Sequence, residues 1–264
     1  AAAAAAAVNF GSDPAVKATL RRDILAALLE SGGTGRIGEV SKVLAETFRT
    51  IAAADFPAQW PELLPTLSAA LKESTASGVR LEQSLLAVAM LSKQFVYFKE
   101  KKSSSEQQSS SDEPGSASTS GSGGPSGASS SSTSVPSELE ALASEMVLPL
   151  LTGALPALAV TITSGAEQAP GDRARCLQCA YLVCKIVHRC TRSYMPSSLH
   201  AALSSSESGD RSGATPTLLA LLGGIGASLR GKSNSNASGA SELEGRLAKR
   251  ILQLLNNLQV RHEA

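Results

Sequence analysis

The sequence predicts an all-α protein in which helical hairpins stack into an α-α superhelix, or solenoid. Apolar residues recur at three- and four-residue spacing through almost every segment that is not rich in Ser or Gly, which is typical of amphipathic helices. Five Phe, three Tyr and one Trp are few for 264 residues. The core must therefore consist of Leu, Ala, Val and Ile, which favour helix-on-helix packing. Mostly short links between the predicted helices favour stacked antiparallel pairs.

Residues 12–102 predict four helices, each with one apolar stripe. The pair Gly32-Gly33 ends the first helix. Pro61 opens the third at a first-turn position, where its missing N–H is not needed. The stripes are Val16, Leu20, Ile24 and Leu28; Ile37, Val40, Leu44, Phe48 and Ile51; Leu63, Leu64, Leu67 and Leu71; and Leu81, Leu85, Val88, Leu91, Phe95 and Phe98.

A Ser- and Gly-rich insert, residues 103–137, separates this first block of repeats from a second block, residues 138–264. The insert has 17 Ser in 35 residues and no Leu, Ile, Phe or Tyr. It cannot bury enough apolar surface to offset its ordering entropy, so we predict that it is disordered. Residues 1–11 predict a low-complexity N-terminal tail without the features of a signal peptide. Both ends look abrupt, which favours a piece of a longer protein.

The second block predicts four more helices and no strand. Residues 204–213 and 231–241 are polar and predict surface loops. The apolar stripes are Leu139, Leu142, Met146, Val147 and Leu150, with Leu155 and Leu158 beyond Gly153; Leu177, Tyr181, Cys184 and Val187; Leu218, Leu222, Ile225 and Leu229; and Leu243, Leu247, Ile251, Leu254, Leu255 and Leu258. The whole chain therefore predicts about eight helices.

Charge and hydropathy exclude several classes of partner. Lys and Arg number 24 and Asp and Glu number 23, a net charge of +1. Such a balance argues against a basic nucleic-acid-binding arm, so we expect no direct nucleic-acid contact. No window of about 18 or more consecutive apolar residues occurs, and we expect no membrane insertion.

One glycine-rich segment matches the dinucleotide-binding pattern G-x-G-x-x-G, at residues 33–38, and Asp55 follows at a suitable distance. That site needs a strand before the loop, so that pyrophosphate meets a helix N-terminus at a sheet edge. Here an amphipathic helix is predicted before the loop, which favours a flexible helix–helix link. An enzyme using this loop remains an alternative that nucleotide titration can test. No nucleophile–base pattern is present, so we predict no enzyme and no cofactor.

Four cysteines, Cys176, Cys179, Cys184 and Cys190, invite comparison with a zinc site. Structural zinc needs four ligands around one point at ~2.0–2.3 Å. If residues 174–190 form one helix, its first and last cysteines lie ~21 Å apart at about 1.5 Å per residue. The pattern is typical of buried thiols in a reducing compartment, and we predict no metal.

The most specific segment is residues 55–67, which read DFPAQWPELLPTL. Proline disfavours helical geometry in the residue before it, so Phe56 and Trp60 are predicted to be extended. Two prolines four residues apart therefore predict a compact non-helical link. Trp60, the only Trp, can bury a large surface between neighbouring helices. We predict that its role is structural.

This segment resembles the second-repeat signature of the β-karyopherin (importin-β) family of nuclear transport receptors, of the importin-eleven type. Looser helical matches follow in the family's order, so that the resemblance covers residues 12–102 and 138–263. The Ser-rich insert and the Ala/Ser/Gly bias depart from the family pattern. The looser matches lie at residues 12–30, 80–95, 173–190 and 243–263, and the corner residues that carry the resemblance are Asp55, Pro57, Trp60, Pro61, Glu62 and Pro65.

The resemblance implies HEAT-type hairpins from the N-terminal region of a receptor that carries protein cargo through nuclear pores. It implies three partners: the GTP form of the GTPase Ran, cargo, and nucleoporins. The implied location is cytoplasm and nucleus, including the nuclear envelope. Partner contacts are expected on inner helices that include residues 61–72, 138–152 and 243–259. The alternative is a HEAT scaffold that assembles proteins without a transport role.

Overall fold

The computed structural model describes residues 13–31, 38–77, 80–106, 137–164, 170–192, 195–204, 214–231 and 238–262. Within these ranges the chain is helical with no strand, so the all-α prediction is confirmed. The helices are α1 (Pro14–Glu30), α2 (Glu39–Asp55), α3 (Leu63–Ser77), α4 (Leu81–Glu106), α5 (Ser137–Thr163), α6 (Pro170–Arg192), α7 (Ser197–Ser204), α8 (Ala214–Gly231) and α9 (Ser238–His262).

The long helices pack in consecutive pairs: α1 with α2, α3 with α4, α5 with α6, and α8 with α9. The second members also contact one another in chain order, α2 to α4, α4 to α6 and α6 to α9. Helix α5 touches α3 on one side and α8 on the other. These contacts place α2, α4, α6 and α9 in one layer, and α3, α5 and α8 in another.

Both sequence blocks share one hydrophobic core, because α4 of the first block packs along α6 of the second. Helix α4 continues to Glu106 and α5 begins at Ser137. The predicted insert, residues 103–137, is therefore too wide at both ends, because residues 103–106 and Ser137 are helical. Its remaining residues, 107–136, lie outside the described residues. The short helix α7 was not predicted from the sequence, since its eight residues are too few to show a clear apolar period.

Helix α5 is continuous through two prolines because two π-helical turns accommodate them. These turns are Ala143–Val147 and Leu150–Ala154. In each, the closing N–H bonds to a carbonyl five residues back: Leu148 to Ala143, and Leu155 to Leu150. Pro149 and Pro156 each lie two residues after the end of one of these turns. A proline ring clashes with the carbonyl four residues earlier, and the wider turn relieves that clash.

Helix α5 is also long and apolar enough, by length and composition alone, to cross a membrane. A core helix meets the same criterion. A little under half of its most apolar stretch is buried against other helices of the protein, including α6 and α8.

The predicted apolar stripes of the first hairpin are partly wrong. Val16, Leu20 and Val40 are 39%, 52% and 69% exposed. The buried face of α1 instead carries Arg21, Leu25 and Leu28, and that of α2 carries Ser41, Ala45, Phe48 and Ala52. Helical spacing cannot choose between two adjacent faces when both carry apolar residues. The contacts of α1 with α2 and α4 make that choice.

Helices α4 and α6 do not have the single apolar face that was expected. Every residue from 82 to 89 is buried, including Glu82, Gln83 and Ser84, because α1, α2, α3 and α6 all pack against α4. Burial raises the pKa of the Glu82 carboxyl, although the nearby Arg175 charge opposes that shift.

The predicted stripes of α3 and α6 are buried throughout: Leu63, Leu64, Leu67, Leu71, Leu177, Tyr181, Cys184 and Val187.

Candidate functional site

The segment that carries the sequence resemblance forms a compact link between α2 and α3, which we call the Trp60 corner (residues 55–65). Helix α2 ends at Asp55, and Phe56 is extended (φ −85°, ψ 139°), as the following proline predicts. The Phe56–Pro57 peptide bond is cis. The N–H groups of Gln59 and Trp60 both donate to the Asp55 carbonyl, at 2.7 and 3.1 Å. The main chain of Asp55 therefore closes the corner.

The exit from the corner differs from the prediction in one respect. Helix α3 begins at Leu63, so Pro61 lies two residues before it rather than in its first turn. The carbonyl of Glu62 accepts hydrogen bonds from the N–H and the hydroxyl of Thr66, at 3.0 and 2.7 Å. Pro65 occupies the first turn instead. The first N–H groups of a helix have no intrahelical partner, so a proline there removes no helical bond.

The inside of the corner is aromatic. Trp60 is buried, as predicted, and its ring meets the fully buried ring of Phe48 edge-on, with centroids 5.9 Å apart and planes at 75°. Phe56 is buried beside the same core. Edge-to-face geometry places the positive rim of one ring against the negative face of the other. The aromatic rings therefore fasten the corner to α2.

Arg21 of α1 clamps the corner from outside the motif. Its Nε donates to Asp55 Oδ2 at 2.7 Å, and its two terminal nitrogens donate to the carbonyl and the side-chain oxygen of Gln59, at 2.7 and 3.2 Å. The Arg21 side chain is only 10% exposed. A guanidinium so buried needs this set of acceptors, because losing its hydration is costly.

Sequence reasoning missed Arg21. The spacing of Arg21, Leu25 and Leu28, at i, i+4 and i+7, was the available signal. It places the charge of Arg21 on the same face of α1 as two buried leucines. Such a charge must find an opposite partner. Asp55 was a suitable partner, because residues 55–67 contain no Lys or Arg that could pair with it.

The corner residues divide into two groups. Trp60 is buried and Asp55 is half-buried in the Arg21 clamp, whereas Pro57, Pro61 and Glu62 are exposed together with Pro65. The first group maintains the corner. The second group is the part that a partner can reach.

The three segments expected to line one inner surface do not lie in one layer. Helix α3, which contains most of residues 61–72, and α5, which contains residues 138–152, touch each other. Residues 243–259 belong to α9, which packs on α6 and α8. The placement of the three segments on one face is therefore wrong, because helical period alone does not show which member of a hairpin faces which side, and the partner contacts themselves stay a prediction.

The cysteines lie along α6, a single helix over Pro170–Arg192. Cys176 is half-buried, and Cys179, Cys184 and Cys190 are buried; all four are free thiols. Burial raises the pKa of Cys179, Cys184 and Cys190 to about 12. Burial therefore disfavours the thiolate form of these cysteines, which is the form that binds a metal or attacks as a nucleophile. The described residues contain no group of three or more His, Cys, Asp or Glu placed to hold a metal ion.

The glycine-rich segment 33–38 lies outside the described residues apart from Gly38. Helix α1 ends at Glu30 and α2 begins at Glu39. The segment thus lies between two helices, as the sequence predicted, and not after a strand.

Comparison with known proteins adds no identification. No family model matches the chain, and neither the curated proteins nor the solved structures contain a match.

Proposed function

We propose that the chain is a HEAT-type helical-repeat module that binds protein partners, and that it serves as part of a β-karyopherin-type nuclear transport receptor. The order of helix contacts is the observation that carries the repeat architecture. Four consecutive pairs pack internally, and the second members contact one another in sequence from α2 to α9. In a solenoid each repeat contacts only its neighbours, and equivalent helices form a continuous layer. The packing order supports that architecture.

The transport role is supported by the Trp60 corner. Residues 55–67 resemble a signature of that family, and in the structure the corner residues among them form one compact link between α2 and α3. Asp55 and Trp60 hold the link together, and Pro57, Pro61 and Glu62 lie on its surface. The partners proposed with this role are Ran in its GTP form, protein cargo and nucleoporins, in cytoplasm and nucleus including the nuclear envelope.

A stack of hairpins has few long-range contacts and can change curvature by small movements at each repeat. Cargo and Ran bound along one stack then affect each other through that curvature. Such coupling is reciprocal: whatever weakens cargo binding when Ran·GTP is bound weakens Ran·GTP binding to the same degree when cargo is bound. The scaffold alternative uses the same surfaces but lacks the nucleotide-dependent partner.

The test is capture of the purified 264-residue chain, and of any longer native form that contains it, on immobilised Ran. One sample carries Ran with a non-hydrolysable GTP analogue and the matched sample carries Ran·GDP. Selective capture by the GTP form of Ran supports the transport role. Equal capture, or none, from both the chain and the longer form rejects that role and leaves the scaffold function.

A further inference from the structure

Apart from the Trp60 corner, the molecule has a group of basic side chains on the layer formed by α4, α6 and α9. Lys185 and His188 lie on one face of α6, and Arg246 and Arg250 lie one turn apart on the neighbouring helix α9. Lys93 of α4 adjoins them on the other side of α6 and contributes to the electrostatic field at Lys185. We call these five residues the cationic strip. Because the three helices lie side by side, the strip crosses the layer.

Tyr181 lies beneath the centre of the strip. The Lys185 ammonium is 5.5 Å from the centroid of its ring, and the Arg246 guanidinium is 5.1 Å from it. Burial by itself raises the pKa of the Tyr181 hydroxyl, but the charge of Lys185 and the side chains of Arg246 and Arg250 outweigh burial and lower it. The ring therefore contacts one cation from α6 and one from α9, and cation–π attraction favours both positions.

The basic side chains of the strip affect one another's pKa values. Burial lowers the pKa of Lys185, and Arg189, Lys93 and Arg250 add to the effect, against an opposing contribution from Tyr181. Burial also lowers the pKa of His188, and the charges of three arginines, led by Arg250, add to that effect. Like charges this close repel, so the arrangement costs free energy in the unliganded chain.

Several arginines elsewhere in the described part of the chain have carboxylate partners. Arg21 and Arg173 each contact a carboxylate, at 2.7 and 2.8 Å. Among the described residues no carboxylate lies within 4.0 Å of the charged group of Lys185, Arg246 or Arg250. The buried Nε of Arg250 also has no hydrogen-bond partner there. Lys93 of the strip contacts the Glu46 carboxylate, at 3.7 Å. Arg246 and Arg250 hydrogen-bond to Tyr181, and Lys185 lies over its ring, so within the described residues these three cations have an aromatic neighbour and no carboxylate.

We propose that the cationic strip binds an acidic, extended polypeptide segment of a partner protein, with its Asp or Glu carboxylates against Arg246, Arg250 and Lys185. Arginine binds carboxylates through paired hydrogen bonds. Neighbouring packed helices lie about 8–10 Å apart. Three of them therefore span roughly 16–20 Å, which matches about five or six extended residues at about 3.3 Å each. This inference does not depend on the transport role.

A nucleic-acid strand suits the strip less well. Single-stranded nucleic acids bind through aromatic platforms on which bases stack, together with a long basic track. Tyr181 is the aromatic residue beneath the strip, and Lys185 and Arg246 already lie over its ring. The net charge of the chain is only +1. The charge pattern is therefore local, of the size of a short peptide.

The test is fluorescence anisotropy with the 264-residue chain and a fluorescein-labelled deca-glutamate peptide, with deca-glutamine as the uncharged probe. We expect saturable binding of deca-glutamate that weakens as salt is added, because exposed charges are screened. The double variant Lys185→Gln/Arg246→Gln should lose about tenfold or more in affinity, since each removes a charge-assisted hydrogen bond. Deca-glutamine should not bind.

The matched control is Lys17→Gln/Lys72→Gln, which removes the same charge from exposed positions on α1 and α3. It should retain binding within about twofold, as expected for solvated charges. A third variant, Arg250→Gln, tests the strip without altering the two cations over Tyr181. Equal losses in the two double variants, no saturable deca-glutamate binding, or tighter binding of a ten-nucleotide oligouridylate would each overturn the proposal. None of these outcomes involves Ran, so the proposal and the transport role succeed or fail separately.

Discussion

The two ends of the molecule each use an arginine–carboxylate pair to join distant helices, but the more deeply buried member of the pair differs between them. At the Trp60 corner the Arg21 side chain is 10% exposed and its partner Asp55 is 20% exposed. At the other end, Arg173 of α6 binds Glu244 of α9, and there the arginine is 29% exposed and the carboxylate is fully buried. Ser228 of α8 also donates to Glu244, at 3.1 Å.

The difference indicates how much stability each end should lose when the arginine of its ion pair is replaced. Water can reach Asp55 if its cation is removed, whereas it cannot reach Glu244. The corner also has the aromatic pair Phe48 and Trp60 as a second means of support. The other end relies on the clamp and on close helix packing, because its described core is aliphatic apart from Tyr181. Four substitutions test this comparison.

The largest expected effect is at the corner, with Trp60→Ala. Removing a buried aromatic side chain leaves a cavity and costs about 3–5 kcal/mol of unfolding free energy. Denaturant unfolding followed by circular dichroism measures the loss. Trp60→Phe is the matched control, because it keeps a ring against Phe48 and should lose clearly less. A Trp60→Ala protein with an unchanged melting midpoint would contradict the view that Trp60 holds the corner.

The next largest loss of unfolding free energy is expected for Arg173→Met, at the opposite end of the molecule. It leaves the fully buried Glu244 carboxylate without the Arg173 guanidinium, and breaking a buried pair in this way costs about 3 kcal/mol or more. The matched variant Glu244→Gln removes the buried charge itself and leaves the partly exposed Arg173 to water, so its cost should be smaller. If Glu244→Gln is the more damaging of the two, burial of the carboxylate is not what makes this clamp sensitive.

Arg21→Met removes the arginine of the corner clamp and can be compared directly with Arg173→Met. It breaks three hydrogen bonds to Asp55 and Gln59. Asp55 then regains water, and Met fills much of the space of the Arg stem. We expect a loss of about 1–2 kcal/mol, less than for Arg173→Met. Unfolding of both variants under one set of conditions decides the order, and a larger loss for Arg21→Met would reverse the comparison.

The smallest effects concern the packing of α8 on α5. A Cβ at Gly224 would lie 2.6 Å from Thr163 Cγ2, whereas a Cβ at Gly223 meets nothing within 4 Å. Thr163 cannot rotate away easily, because its hydroxyl bonds to the Ala159 carbonyl at 2.8 Å. Gly224→Ala should therefore destabilise by about 1 kcal/mol or more. Gly223→Ala should stabilise by up to about 1 kcal/mol through helix propensity.

The contrast between these neighbouring glycines is the measurement, and thermal unfolding of both variants provides it. Equal stabilisation by both alanines would mean that α8 and α5 are not in close contact at Gly224. In that case the Arg173 clamp alone would hold this end together.

Much of the candidate site could be predicted from the sequence, because local rules govern it. The prolines at 57 and 61 force Phe56 and Trp60 out of the helix, and a lone Trp between two helices is almost bound to be buried. The exposed stripe of α1 could not be predicted. Val16 and Leu20 have the period of a buried face, but Arg21 and Leu25 occupy that face once the corner supplies Asp55 and Gln59.

The cationic strip shows the same limit. Lys185 and His188 are ordinary helix-surface residues in sequence, and nothing in their spacing brings them near Arg246 and Arg250, some 60 residues later on another helix. The two buried clamps likewise join residues 34 and 71 positions apart.

The sequence alone determined the long helices, the apolar stripes of α3 and α6 and the break in the helix at the Trp60 corner, since these follow from interactions within about four residues along the chain. The tertiary structure decided which faces are buried, which charges are paired, and which helices share a layer. These depend on contacts between segments far apart in sequence, and the apolar period of one helix does not show which other helices pack against it.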